Sequence, residues 1–160
     1  MLYVAYGANT HRDAMAHRCP EAEFLGTARL DHYALAFRGV ADVRPAKGQA
    51  VHLALWDITA NDLAALDRFE GYPRLYIRKQ VAFETLTLHR RVVLPSTPRA
   101  WVYLMTKGYG LAAPSWSYLE TLREGYADCG LPAEQLTDAL ADIPLRRETA
   151  GGYLSQQWAL

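Results

Sequence analysis

Residues 51–71, VHLALWDITANDLAALDRFEG, place a strand directly before a helix. Val51 to Ile58 is a run of aliphatic, β-branched and aromatic residues bounded by Gly48 and Thr59, which predicts a central strand. Thr59 can then cap a helix, with Asp62 at the N3 position. That helix runs from Asn61 to about Phe69, and Gly71 lies just past its end. Toward the N-terminus, Leu2 to Tyr6 reads as a short buried strand ended by the turn signal Gly7-Ala8-Asn9. Thr10 caps a short helix to about Arg18, stopped by Pro20. Residues 23–38 read as strand pairs broken near Asp31, and residues 39–48 as a strand end and a turn. Toward the C-terminus, strands are expected over roughly Leu75 to Leu88, Arg90 to Leu94 and Arg99 to Met105. Pro114-Ser115 opens a helix to about Cys129 with Gly130 as its C′ residue, and Leu131-Pro132 starts a shorter one to about Asp142. No element is assigned to the tail RRETAGGYLSQQWAL. Strands fill the middle and helices the end, without regular alternation. The expected class is therefore α+β, a small mixed, mostly antiparallel, barrel-like sheet flanked by helices.

At 160 residues the chain has room for one domain, residues 1–160. Apolar residues make up 51% and charged ones 21%, a globular rather than disordered balance. Seventeen basic and seventeen acidic residues cancel, which removes the main electrostatic reason to expect nucleic acid or an anionic membrane as partner. No apolar run approaches the ~18 residues of a spanning helix, and the opening MLYVAYGANTHRD lacks a signal-peptide pattern. Two cysteines, Cys19 and Cys129, build neither a disulfide framework nor a zinc site. A cytoplasmic setting is expected. Ten tyrosines require hydrogen-bond partners if they are buried.

Among candidates for chemistry, Glu70 stands first. Leu63, Leu66 and Glu70 share one helical stripe, so a stripe that buries the leucines turns Glu70 inward. It also sits at the helix C-terminus, where the macrodipole disfavours a carboxylate. Burial and dipole both raise its pKa, and a carboxylate so tuned suits a general base near neutral pH. The alternative is a frayed helix end, with Glu70 paired on the surface to Arg68, Arg74 or Arg78. The turn Tyr6-Gly7-Ala8-Asn9 can present backbone N–H groups to an anion or oxyanion, or be a tight turn and nothing more. There is no G-x-S-x-G elbow, P-loop, dinucleotide fingerprint or H-E-x-x-H. The five histidines (His11, His17, His32, His52, His89) lack metal-ligand spacing, and the two cysteines read as core. Arg90-Arg91 is too short for a nucleic-acid footprint. Tyr103 and Tyr118 read, on their own, as amphipathic core tyrosines.

Taken in order, several segments resemble the γ-glutamylcyclotransferase family (AIG2-like). YVAYGAN is similar to that family's YFAYGSN opening. GVADVRPAKGQAVHLALWDIT resembles its A-x-x-x-P-x-x-G-x-x-V-x-G-x-x-W region, and ANDLAALDRFEGYPRLYIRKQV its helix ending in L-D-x-x-E-G followed by a Tyr. WVYLMTK and APSWSYLETLREGYADCGLP resemble its Y-x-M-T and P-S-x-x-Y…GLP stretches, so the likeness covers roughly residues 3–140. The resemblance implies a cofactor-free, metal-free reaction on a small γ-glutamyl substrate. In it the substrate's own α-amine attacks the γ-carbonyl, giving 5-oxoproline and a free amine. It implies that Glu70 is the general acid/base, that Tyr6, Gly7, Ala8 and Asn9 surround the glutamyl portion, and that Tyr103 and Tyr118 line the pocket.

Two departures stand out. Ala8 replaces the family's Ser in Y-G-S-N, and Leu53 replaces the Gly of V-x-G-x-x-W. Leu53 either fills part of the pocket or repacks a sheet face. Two further readings stay open: removal of a γ-glutamyl group from a larger amine, and a non-catalytic module that binds a glutamyl ligand.

Overall fold

The computed structural model describes residues 1–144; the C-terminal tail lies outside the described residues. The strands are β1 (Leu2–Ala5), β2 (Glu23–Phe37), β3 (Ala41–Asp57), β4 (Tyr76–Ala82), β5 (Glu84–Leu88) and β6 (Arg99–Met105). The helices are α1 (Arg12–Arg18), α2 (Ala60–Phe69), α3 (Trp116–Cys129) and α4 (Glu134–Ala141), with a 3-10 turn at Ala8–Thr10. All six strands form one open sheet in the order β4-β6-β1-β3-β2-β5. Among the pairings of these six strands, β1–β6 alone is parallel; an isolated parallel bridge also joins Arg38 and Ala112. The expected α+β architecture with a mixed, mostly antiparallel sheet is present. Val4, Val51, Leu53, Leu55 and Val102 are sealed in the core, where α2 adds Leu66 and α3 adds Leu119 and Leu122. No helix among the described residues is long and apolar enough to cross a membrane.

The hairpin of β2 and β3 is longer than the sequence suggested. Residues 41–48 belong to β3, and the turn shrinks to residues 38–40. The apolar–polar mixture that reads as a strand end is instead a ladder with one interruption. Asp31 pairs with Ala50 and Tyr33 with Pro45, so His32 alone stands opposite residues 46–49. His32 takes a φ of 63°, and its Nδ1 accepts the Gly48 amide at 3.3 Å. Beyond this point the hairpin carries Phe37 and Ala41 into the core, which brings the turn to the site described below.

Three other expectations change. The cap of α1 is His11, whose Nδ1 accepts the Ala14 amide, while Thr10 sits in the preceding 3-10 turn and donates its hydroxyl to the Gly7 carbonyl. Residues 90–94 form no strand, and the expected stretch from Leu75 divides into β4 and β5. The last helix begins at Glu134, past Pro132.

Helix α2 follows its sequence signals closely. Thr59 and Asp62 make a reciprocal capping box, the Asp62 amide donating to Thr59 Oγ1 and the Thr59 amide to Asp62 Oδ2. At its other end Gly71 takes a φ of 66°. Helix α3 is capped by Ser115 and ends at Gly130 in the left-handed conformation, as expected. Inside α3, Gly125 lies against the 3-10 turn. A Cβ there would stand 2.4 Å from Thr10 Oγ1 and 2.6 Å from the His11 amide nitrogen, so only glycine lets the helix approach. Thus α3 presses the Ala8–Thr10 turn onto the sheet.

Candidate functional site

Of the two readings the sequence left open, an inward Glu70 or a frayed helix end, the structure takes the first. The Glu70 dihedrals remain helical (φ −78°, ψ −6°), and its amide donates to the Leu66 carbonyl at 2.8 Å. The helix therefore does not fray before Glu70. Among the described residues Glu70 joins no ion pair, and Arg78 pairs with Asp67 at 3.1 Å instead. The carboxyl is half-buried, and Asn9 Nδ2 donates to its Oε1 at 2.7 Å. Burial raises the Glu70 pKa to about 7 from an ordinary 4.5, opposed by the Arg18 cation and the Asn9 hydrogen bond.

Glu70 borders a cavity of about 130 Å³, whose wall also includes Tyr6, Gly7, Ala8, Asn9, Tyr103 and Tyr118. All seven sequence-predicted site residues thus surround one space, although they come from β1's end, the 3-10 turn, α2, β6 and α3. Gly7 allows close approach here: a Cβ would lie 3.2 Å from the Tyr118 hydroxyl and 3.3 Å from Ala41 Cβ. Sequence reading missed Tyr3, Val40, Ala41, Phe69, Leu75 and Tyr76 on the same wall. The YVAYGAN motif contained Tyr3, and Tyr76 is the second tyrosine after the E-G motif, Tyr72 being the first. Ala41 opens the A-x-x-x-P stretch and Val40 precedes it, but the sequence attached no role to either; the β2–β3 hairpin delivers both. Leu53 is sealed in the core and does not line this cavity, so it repacks a sheet face.

The phenols divide by the fate of their protons. Tyr6 donates to the Tyr103 carbonyl at 2.7 Å, Tyr76 to the Ala41 carbonyl at 2.6 Å, and Tyr103 to Asp67 Oδ1 at 2.7 Å. Tyr3 and Tyr118 accept instead. Tyr3 takes Asn9 Nδ2–H at 2.8 Å, while Tyr118 takes the Ala41 amide at 3.1 Å and faces the Ala8 amide. A hydroxyl that accepts from N–H groups keeps its own proton for another acceptor. Tyr3 and Tyr118 therefore offer O–H donors on the cavity wall. Burial keeps all five phenols neutral, that of Tyr118 being raised to about 12.

The arrangement offers one carboxyl that exchanges its proton near neutrality and at least two neutral donors, in a space too small for a large ligand. The thiols do not compete as nucleophiles. Burial raises Cys19 to about 11 and Cys129 to about 12, and they donate to the carbonyls of Asp62 and Thr10. No cluster of potential metal ligands occurs among the described residues. A larger, open groove of about 1110 Å³, bordered by Arg12, Phe24, Trp56, His89 and Arg90, contains none of the predicted site residues.

The sequence profile of the family described as "Gamma-glutamyl cyclotransferase, AIG2-like" matches residues 3–120. Human "Gamma-glutamylcyclotransferase" is 30% identical over 146 residues, covering 83% of this chain and 73% of its own. The bovine protein of the same name is 28% identical over the same shares. A solved structure described as "Gamma-glutamyl cyclotransferase" superposes with a TM-score of 0.73 at 27% identity, covering 98% of this chain and 94% of its own.

Proposed function

The chain belongs to the gamma-glutamyl cyclotransferase, AIG2-like family, and we propose that it converts a γ-glutamyl amino acid or amine to 5-oxoproline and the free amine. The observation that carries this reading is the Glu70 carboxyl, held at the cavity wall with a pKa of about 7.

The substrate's α-ammonium must lose a proton before it can attack. Glu70 as carboxylate takes that proton, and the amine nitrogen bonds to the γ-carbonyl carbon to close a five-membered ring. The carbonyl electron pair moves onto oxygen. As the carbonyl re-forms, the bond to the leaving nitrogen breaks and the Glu70 carboxylic acid gives its proton to that nitrogen. Once more a carboxylate, Glu70 takes the second proton that the ring nitrogen still carries, and the freed amine leaves with it as an ammonium. One group thus serves as base and then acid, which a pKa near the working pH favours. Nucleophile and electrophile belong to one molecule, so a cavity that folds the glutamyl chain supplies proximity. The oxyanion is met by the free protons of Tyr3 and Tyr118, the Ala8 amide backing the Tyr118 hydroxyl. Ala8 removes the family's side-chain hydroxyl but leaves the amide, so the backbone's part in binding persists. No co-reactant or cofactor enters this sequence of steps.

Ligand sites for drug-sized molecules typically enclose ~300–1,000 Å³. A cavity of about 130 Å³ suits the glutamyl portion alone. The leaving group then sits at the mouth, where Phe69 is 48% exposed. The test is a panel of γ-glutamyl compounds, from γ-glutamyl-alanine to bulky γ-glutamylamines, followed by 5-oxoproline release. Turnover that disappears in a folded Glu70→Gln variant is the expected result. Full retention by that variant refutes the mechanism, and binding of 5-oxoproline with no turnover anywhere on the panel makes the protein a binding module.

A further inference from the structure

Arg18, the last residue of α1, appeared in no sequence motif for the site, yet two parts of the site meet on it. Its Nη1 donates to Asn9 Oδ1, and its guanidinium carbon lies 3.3 Å from the centroid of the Phe69 ring, next to Glu70 in the chain. Asn9 is almost sealed from solvent, at 2% exposure, and its Nδ2 donates to Glu70 Oε1 and to the Tyr3 hydroxyl. An amide has an accepting end and a donating end. Arginine can only donate, and a carboxylate can only accept. With Arg18 on one side and Glu70 on the other, only one orientation of the Asn9 amide satisfies both. The reversed amide would set its oxygen against the carboxylate and its N–H groups against the guanidinium.

We propose that Arg18 is the positioning residue of this site: it pins the oxygen of Asn9 and so turns both Asn9 N–H groups onto Glu70 and Tyr3. The inference rests on the acid/base reading of Glu70. One consequence is that Glu70 presents its other oxygen toward the cavity. Another is that Tyr3, its lone pair taken by Asn9, aims its proton away from Asn9. The planar guanidinium on Phe69 also ties the 3-10 turn to the end of α2, so the distance between the two halves of the site is set from outside the cavity. The C-terminal end of α1 favours a cation at this position.

Arg18 also acts on Glu70 by charge. The groups facing Glu70 from the other elements are the neutral phenols of Tyr3 and Tyr6, of Tyr76 on β4, of Tyr103 on β6 and of Tyr118 on α3. Nearby Asp67 is held by Arg78, and Asp42 on β3 faces Arg38 at 3.2 Å. Arg18 is the cation that offsets the burial of Glu70.

The experiment pairs kinetics with a titration that needs no turnover. The Glu70 side-chain carboxyl is followed by carbon-13 NMR across pH, its signal assigned by its loss in Glu70→Gln. Arg18→Met is expected to raise the titration midpoint by about half a unit or more, since a nearby opposite charge typically lowers a carboxyl pKa by ~1–3 units. It is expected to lower kcat about tenfold or more, with a smaller change in KM. Arg18→Lys restores the charge but not the planar fork, so the midpoint returns toward wild type while kcat stays depressed. Arg18→Gln replaces the Met variant if circular dichroism shows that variant unfolded. An unmoved midpoint, or a kcat within twofold of wild type, overturns the proposal. If no γ-glutamyl compound turns over in wild type, the reaction reading falls and the midpoint alone decides the role of Arg18.

Discussion

Replacing Glu70 with Gln should make the protein more stable, by an amount that grows between pH 4.5 and about 7 and is full above that. The substitution keeps the shape and the acceptor oxygen that Asn9 uses, and removes the charge. Below pH 4.5 the wild-type carboxyl is protonated in both folded and unfolded chains, so ionisation costs the folded state nothing. Between 4.5 and about 7 the unfolded chain loses that proton while the folded one retains it, so wild-type stability falls as pH rises. Above about 7 the full cost is present. At about 1.4 kcal/mol per unit, the rise from 4.5 to about 7 amounts to about 3 kcal/mol. The carboxyl is half-buried, so solvent screens part of this, and about 2 kcal/mol is the expected gain of the variant at pH 8. For a chain of this length that corresponds to roughly 4–8 °C in Tm. The assay is urea denaturation of both proteins at pH 4.5 and pH 8, where every other titrating group is shared and cancels. A Gln variant whose advantage at pH 8 is no larger than at pH 4.5 refutes the claim that burial of this carboxyl is costly. The acid/base role would lose its physical basis with it.

In turnover assays, kcat/KM should rise with pH through about 7, since the free carboxylate is the active form of Glu70; a flat profile between pH 6 and 8 contradicts the assignment. Tyr118→Phe removes a hydroxyl whose proton is free for an oxyanion and should lower kcat by ~10²-fold. Tyr76→Phe, whose proton is already given to the Ala41 carbonyl, should cost activity less, and equal losses in steady-state kinetics would count against this division of the phenols. Gly125→Ala pushes a methyl into Thr10 and the His11 amide, and should destabilise by ~1–3 kcal/mol or more in denaturant titrations. Thr59→Ala removes the capping box at the far end of α2 and should cost ~1 kcal/mol with little change in kcat, because Glu70 stays on the packed last turn.

The motifs of the resemblance named seven residues that the fold gathers around one cavity, and the local signals of α2 were legible on their own. Thr59, Asp62 and Gly71 mark the ends of that helix through local hydrogen bonding and backbone preference, and Leu63, Leu66 and Glu70 mark its buried stripe through periodicity. Such signals operate within a few residues, which is why they survive in a bare sequence. Other assignments failed for the matching reason. Residues 41–48 looked like a turn because Pro45 and Gly48 are turn residues locally, but residues 41–45 pair with β2, and Gly48 lies in the irregularity opposite His32. Thr10 looked like a helix cap, yet its place in a 3-10 turn is set by α3 pressing Gly125 against it.

What the sequence determined by itself is the capped helix and the stripe on which Glu70 lies; a carboxyl turned inward and one frayed onto the surface both stayed open, and with them the sign of its pKa shift. Only the tertiary structure decided what surrounds that carboxyl. Asn9 reaches it across 61 positions of sequence, Val40 and Ala41 arrive on a bent hairpin, and Arg18 enters from a different helix. Periodicity and capping are properties of neighbouring residues, whereas the donors around a buried acid are chosen by which distant segments pack together.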